Sequence, residues 1–223
     1  MDVISDPLAI DPASPRLTTY TDAGRMELSA QTLGNWVAKV ANLLVEAGAQ
    51  PGDEAVLECA PGWQPAAIAF GCWRVGVELV SGGDATSPSF AFVDTPELAD
   101  ECEADEIYMV SRDAFGRGIE ESGGRVDFGV EDFSPTVRTQ PDAYTGPVVS
   151  GQALVRVGGE EIHREDLKAA GERVLTGGWD DVAGMARALA PIFAGGSVVV
   201  TTDTSPERVA EIAAEENTTA TVV

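Results

Sequence analysis

Apolar positions between residues 30 and 47 recur at helical spacing. Leu33, Trp36, Val37, Val40, Leu43 and Leu44 form one stripe, preceded by Ser29 as an N-cap and followed by Gly48 as a left-handed C-cap. The pattern predicts a helix over Ala30–Ala47. Pro51-Gly52-Asp53 turns the chain, and Glu54–Cys59 reads as a strand. A helix over Gln64–Val75 follows, with Pro65 in its first turn and Gly76 closing it, and then a short strand, Val77–Val80. A second strand–helix–strand run covers Phe90–Val93, Pro96–Glu103 and Glu106–Val110; Asp100, Glu101, Glu103 and Asp105 give its helix a solvated face. A third covers Ser197–Thr202, a helix from Ser205-Pro206 to Glu216, and Thr219–Val223. Each run reads as a βαβ unit, which requires a parallel strand pair.

The remaining segments carry weaker patterns. Residues 1–16 are rich in Pro and Asp and are expected to lie extended on the surface, with 17–223 forming a single domain; any division into two lobes falls near 112–150. Short strands are expected near Arg125–Phe128 and over Leu154–Val157, and helices over Arg164–Leu175 and Asp181–Phe193. The last of these has Val182, Met185, Leu189, Ile192 and Phe193 on one face. The expected fold class is α/β, a layered and mostly parallel sheet built from βαβ units with flanking helices.

Composition narrows the function classes. The 223 residues are enough for a real core, and a hydrophobic content of 44% excludes a disordered chain. No apolar run is long enough to span a membrane, and the acidic start Met1-Asp2-Val3-Ile4 lacks the order of a signal peptide, so the chain is expected to be cytoplasmic. The net charge of −23 opposes nucleic acid and anionic lipid surfaces, and fits a solvated surface in a salty cytoplasm. Cys59, Cys72 and Cys102 are too widely spaced for a metal knuckle and read as reduced, buried thiols. His163, the only histidine, lies in a polar run and is expected to face solvent.

Several stretches carry a family resemblance. Leu17-Thr18-Thr19-Tyr20, the helix from Leu33 to Leu44 and the Gly48–Asp53 turn resemble the opening of the acyl- and aminoacyl-adenylate-forming enzymes, a superfamily that includes the acyl-CoA synthetases. Gly71–Val77 is similar to their next helix end, and Glu172–Val200 resembles their pocket-wall helix running into a Gly-Gly strand. The resemblance implies the fold of their N-terminal domain, of which it covers only the front part. It places Ile162-His163-Arg164-Glu165-Asp166-Leu167 on the segment after the phosphate loop, and Ser150–Gly158 on the loop itself. There Leu154 replaces a loop glycine, closing off the backbone approach, and Val157 replaces the loop lysine, leaving Arg156, one position over, as the alternative source of the cation that a phosphate needs. Gln152–Val157 reads as a plain strand.

The resemblance also implies where a surviving pocket would lie: between the 144–151 loop and the start of the helix near Trp179. The candidate ligand-binding residues are Tyr144, Thr145, Ser150, Gly151, Trp179, Asp180 and Met185, with Asp180 and Asp181 also suited to a helix start. No catalytic residue, metal ligand or cofactor is expected. The leading reading is a degenerate, non-catalytic relative binding a small molecule or a protein partner, with neutral or cationic small molecules preferred over ATP or coenzyme A. The alternatives are a residual acid-activating ligase working with a second chain, using ATP, AMP and Mg²⁺, and an interaction domain with no ligand. The oligomeric state is not readable.

Overall fold

The computed structural model describes residues 5–147, 149–168 and 171–223. Its elements in chain order are α1 (Ser5–Ala9), β1 (Pro15–Thr21), β2 (Gly24–Ser29), α2 (Ala30–Glu46), β3 (Glu54–Glu58), α3 (Trp63–Val75), β4 (Glu78–Val80), β5 (Phe90–Val93), α4 (Pro96–Glu101), β6 (Glu106–Met109), β7 (Glu131–Asp132), α5 (Phe133–Arg138), β8 (Val155–Val157), β9 (Glu160–Ile162), β10 (Arg173–Thr176), α6 (Val182–Phe193), β11 (Ser197–Thr201), α7 (Pro206–Glu215) and β12 (Ala220–Val222). They form two sheets, ordered β12-β10-β11-β1-β2 and β7-β6-β5-β3-β4-β8-β9. Among the described residues, only the β1–β2 and β8–β9 pairings are antiparallel.

The sequence explains which face each helix takes. In α2 the Ser29 hydroxyl accepts a hydrogen bond from the Thr32 backbone N–H at 3.1 Å, and the Leu33, Val37, Val40 and Leu44 stripe is buried. Helix α3 is apolar almost all round, which marks a helix enclosed on every side, and only Arg74 in it escapes full burial. These two helices and α6 lie between the sheets. Leu17, Val198 and Val200 of the five-stranded sheet and Leu57, Leu79 and Phe92 of the seven-stranded sheet share one core with them. On the outer faces, Ile212 of α7 covers Leu175 and Val199, while Ala99 of α4 covers Val93 and Met109. The layers therefore run α7, sheet, helices, sheet, α4. This is the expected α/β class, in two sheets rather than one.

Several segments differ from expectation. Residues 5–9, expected to be extended, form α1 and bury Leu8, because that side chain reaches the α2 layer. The helix expected over Arg164–Leu175 is a single 3-10 turn, Arg164–Asp166, followed by strand β10; residues 169–170 of that span lie outside the described residues. Val174, Leu175 and Thr176 gain ladder partners on both sides, from β11 and β12, and this outweighs any local helical preference. The third βαβ unit consequently skips a strand: β10 lies between β11 and β12. No strand forms at Arg125–Phe128, where the chain is irregular up to a turn at the fully exposed Phe128. No helix among the described residues is long and apolar enough to cross a membrane.

Candidate functional site

Parallel sheets place their binding crevices by topology. Where neighbouring strands send their following helices to opposite faces, the carboxyl ends of the strands are left open. In the seven-stranded sheet this happens between β3 and β5. From β3 the chain enters α3 on the inner face; from β5 it enters α4 on the outer face. The five-stranded sheet has the same arrangement between β10, followed by the inner α6, and β11, followed by the outer α7. The two crevices meet. Gly178, just after β10, has φ +90° and presses on Pro61 of the β3–α3 connection; a Cβ there would lie 2.8 Å from the proline Cγ. Only glycine permits both the dihedral and the contact.

At this meeting point a hollow of about 700 Å³, including space open to solvent, is walled by Thr19 and the β1–β2 turn, by Cys59–Pro65, by Asp94, by Val110–Ala114 and by Thr202. Its walls are fixed by hydrogen bonds. The Asp94 carboxylate accepts the Ala60 N–H at 2.8 Å and the Arg112 Nε–H at 2.8 Å. Trp63 Nε1 donates to the Ala114 carbonyl at 2.9 Å. Buried Gln64 donates to the Ser111 carbonyl at 2.5 Å and accepts from the Ser134 hydroxyl at 2.8 Å. The hydrogen bond from Arg117, with further backbone N–H donors, holds the Asp113 carboxyl below its usual range despite some desolvation.

Burial, reinforced by the negative charge of Asp94, pushes the Cys59 thiol well above its usual range, which leaves it protonated and unreactive at neutral pH. Histidine and lysine are absent from the lining, and the Asp94–Arg112 pair is internally neutralised. Among the described residues, no group of three His, Cys, Asp or Glu side chains is placed to hold a metal ion.

The residues singled out from sequence are distributed over other places. Tyr144 is half-buried under the Arg74 guanidinium, 5.0 Å from its ring centre, and lines a hollow with Leu8 and Asn35. Thr145 is exposed. Ser150 and Gly151 are exposed beside Trp73, Leu154 and Arg164 in a second hollow. Trp179 is buried, and with exposed Asp180 it lines a third, beside Gly184 and Val223. Met185 is in the core. Val148 of the 144–151 loop lies outside the described residues. His163 is partly buried and precedes the 3-10 turn: its carbonyl accepts the Asp166 N–H at 3.1 Å, and the Asp166 carboxylate accepts the His163 N–H at 2.9 Å. The strand-end crevice was missed in the sequence. The available signal was the Cys59-Ala60-Pro61-Gly62 turn between a buried strand and an all-apolar helix.

Within the segment aligned with a phosphate loop, Val155–Val157 form strand β8. Val155 and Arg156 of β8 pair with Leu79 and Val80 of β4, and Leu154 and Val155 are buried. The Leu154 carbonyl accepts from Trp73 Nε1 at 2.7 Å and from the Leu79 N–H at 3.0 Å. Arg156 turns away to Glu54, to Glu78 at 3.3 Å and to the Asp84 carbonyl at 3.0 Å.

Comparison with known proteins supports this architecture. No protein-family model matches the chain. The TIGR03089 family protein of Mycobacterium tuberculosis is 34% identical over 187 residues, covering 78% of this chain and 73% of that protein. Among solved structures, a Brucella canis acyl-CoA synthetase superposes with a TM-score of 0.76 at 14% identity over 99% of this chain and 47% of that one. A mutant form of coronafacic acid ligase from Pectobacterium brasiliense gives 0.70 at 13%, over 99% and 50%. The amide bond synthetase McbA from Marinactinospora thermotolerans gives 0.65 at 13%, over 98% and 47%. At these identities the likeness shows the fold alone, an acyl-CoA synthetase-like α/β fold, and the chain spans about half the length of the solved structures it matches.

Proposed function

The chain belongs to the TIGR03089 family, and from that premise we propose that it is a non-adenylating, small-molecule-binding relative of the acyl-CoA synthetase fold, with its ligand in the strand-end crevice. The observation that carries this reading is that Leu154 and Val155 are buried and Val155–Val157 pair as strand β8 where a phosphate loop would run. A phosphate loop needs free backbone N–H groups and a cation directed at the ligand. Here the Leu154 N–H donates to the Ile162 carbonyl at 2.8 Å, and Arg156 is committed to Glu54 and Glu78. In-line transfer at a phosphate depends on such charge neutralisation, and these residues are already spent on the fold.

The crevice favours an uncharged or cationic ligand. Its lining carries Asp22, Asp94 and Asp113 against Arg112 alone, within a chain of net charge −23. Hydroxyls from Thr19, Thr21, Ser111 and Thr202 supply polar contacts over a floor of Pro61, Trp63 and Val110.

The test is a thermal-shift screen of uncharged and cationic aromatic compounds beside ATP and AMP at moderate salt, repeated on Ala23→Phe. Ala23 is exposed in the β1–β2 turn at the crevice mouth, so the substitution fills the site without touching the core. We expect shifts with uncharged or cationic compounds that vanish in Ala23→Phe. A specific shift with ATP that survives Ala23→Phe would refute the reading.

A further inference from the structure

In a chain with 37 acidic and 14 basic residues, an unpaired cation is the rare state. All the lysines and arginines but Arg125, Lys168 and Arg187 hold a carboxylate, a carbonyl or an aromatic ring. Lys168 and Arg187 carry no ion pair or hydrogen bond among the described residues, and both are exposed. They come from different parts of the chain, the stretch after the 3-10 turn and the middle of α6, yet they line the same hollow.

That hollow has an apolar floor of Ile162, Leu167 and Ala190. The carboxylate on its rim, Asp166, is engaged with the His163 backbone N–H at 2.9 Å. Asp180 lines the neighbouring hollow, on whose wall Arg187 also stands. Both cations stand on the rim of one hollow with an apolar floor, and neither has a carboxylate partner among the described residues. An anion in the hollow would supply the partner that both lack. A guanidinium presents a planar fork to two oxygens, and an ammonium adds a point charge.

We propose that the hollow between Lys168 and Arg187 binds a small molecule carrying an oxyanion, a carboxylate or phosphate group, on a short apolar body. The site is separate from the strand-end crevice and independent of what binds there. Screening by salt over about 8 Å limits the opposing field of the distant acidic surface.

The experiment is calorimetric titration of the whole chain with hexanoate, hexyl phosphate and inorganic phosphate, each at constant ionic strength. We expect saturable binding of at least one alkyl oxyanion, with hexanoate against hexyl phosphate distinguishing the two head groups and inorganic phosphate reporting the need for the apolar body. Arg187→Gln and Lys168→Gln should each weaken binding at least about tenfold, Arg187→Lys should weaken it less, and Arg125→Gln should leave it unchanged. Unshifted melting temperatures, expected for exposed positions, confirm that the variants are folded. The proposal is overturned if neither hexanoate nor hexyl phosphate saturates, if Arg187→Gln binds like the parent, or if Arg125→Gln loses binding equally. Saturation by an acidic peptide alone would assign the surface to a protein partner and also overturn it.

Discussion

Arg156 faces Glu54 and Glu78, and the two carboxylates respond to it differently. Burial pushes the Glu54 carboxyl up, but the Thr86 and Ser87 donors together with Arg156 bring it below its usual range. At Glu78 burial wins over Arg156 and the carboxyl rises; its Oε1 is also buried without a partner. The linkage signs follow. Glu54, with a depressed folded value, stabilises the fold above its unfolded value, and that contribution is lost as pH falls through the folded value. Glu78, with a raised one, favours the fold at low pH and costs stability as pH rises. Arg156→Met removes the cation from both. It should destabilise the chain by about 2–4 kcal/mol at pH 7, somewhat under the cost of breaking a fully buried pair, because these side chains keep some solvent. The deficit should shrink toward pH 5, where protonation relieves the uncompensated carboxylates. Urea unfolding at the two pH values measures this; a deficit no larger than that of an ordinary surface substitution, or one that grows in acid, would count against the described role of Arg156.

Helices α2 and α3 meet through a glycine. A Cβ on Gly71 would fall 2.3 Å from Val40 Cγ1 and 2.5 Å from Val40 Cβ, so the two backbones are at the closest approach their side chains allow. Helix propensity favours alanine over glycine by about 1 kcal/mol, whereas overpacking a close helix contact costs about 1–3 kcal/mol. The clash involves a Cβ fixed to its own backbone and cannot be relieved by a rotamer change. Gly71→Ala should therefore destabilise by about 1–2 kcal/mol in denaturant unfolding, and a stabilised variant would mean that the inner layer is looser than described. Periodicity and caps made α2 and α6 legible, and α3 was legible from its continuous apolar run with Pro65 in the first turn and Gly76 at the end. Strand β10 was not legible: four residues take their state from β11 and β12, and β12 lies more than forty residues further along the chain. Leu17–Tyr20 were noticed only as part of a resemblance, although they form the strand that joins β11 to β2.

At the scale of the molecule, two sheets enclose a helix layer and bring two strand-end crevices together at Gly178 and Pro61. This could not be read from sequence, because the crevice takes residues from near 20, 60, 94, 112 and 202, each an ordinary turn until topology assembles them. Strand β8 was legible, since Leu154, Val155 and Val157 stand around Arg156 where a phosphate loop would need glycines. The loss of phosphate chemistry is the central claim, and carboxylate-dependent ATP–pyrophosphate exchange by the whole chain tests it most directly. With Mg²⁺ and a panel of aliphatic and aromatic acids, the account predicts no exchange above the protein-free rate. Exchange that depends on any one acid would contradict it and return the chain to the acid-activating ligases.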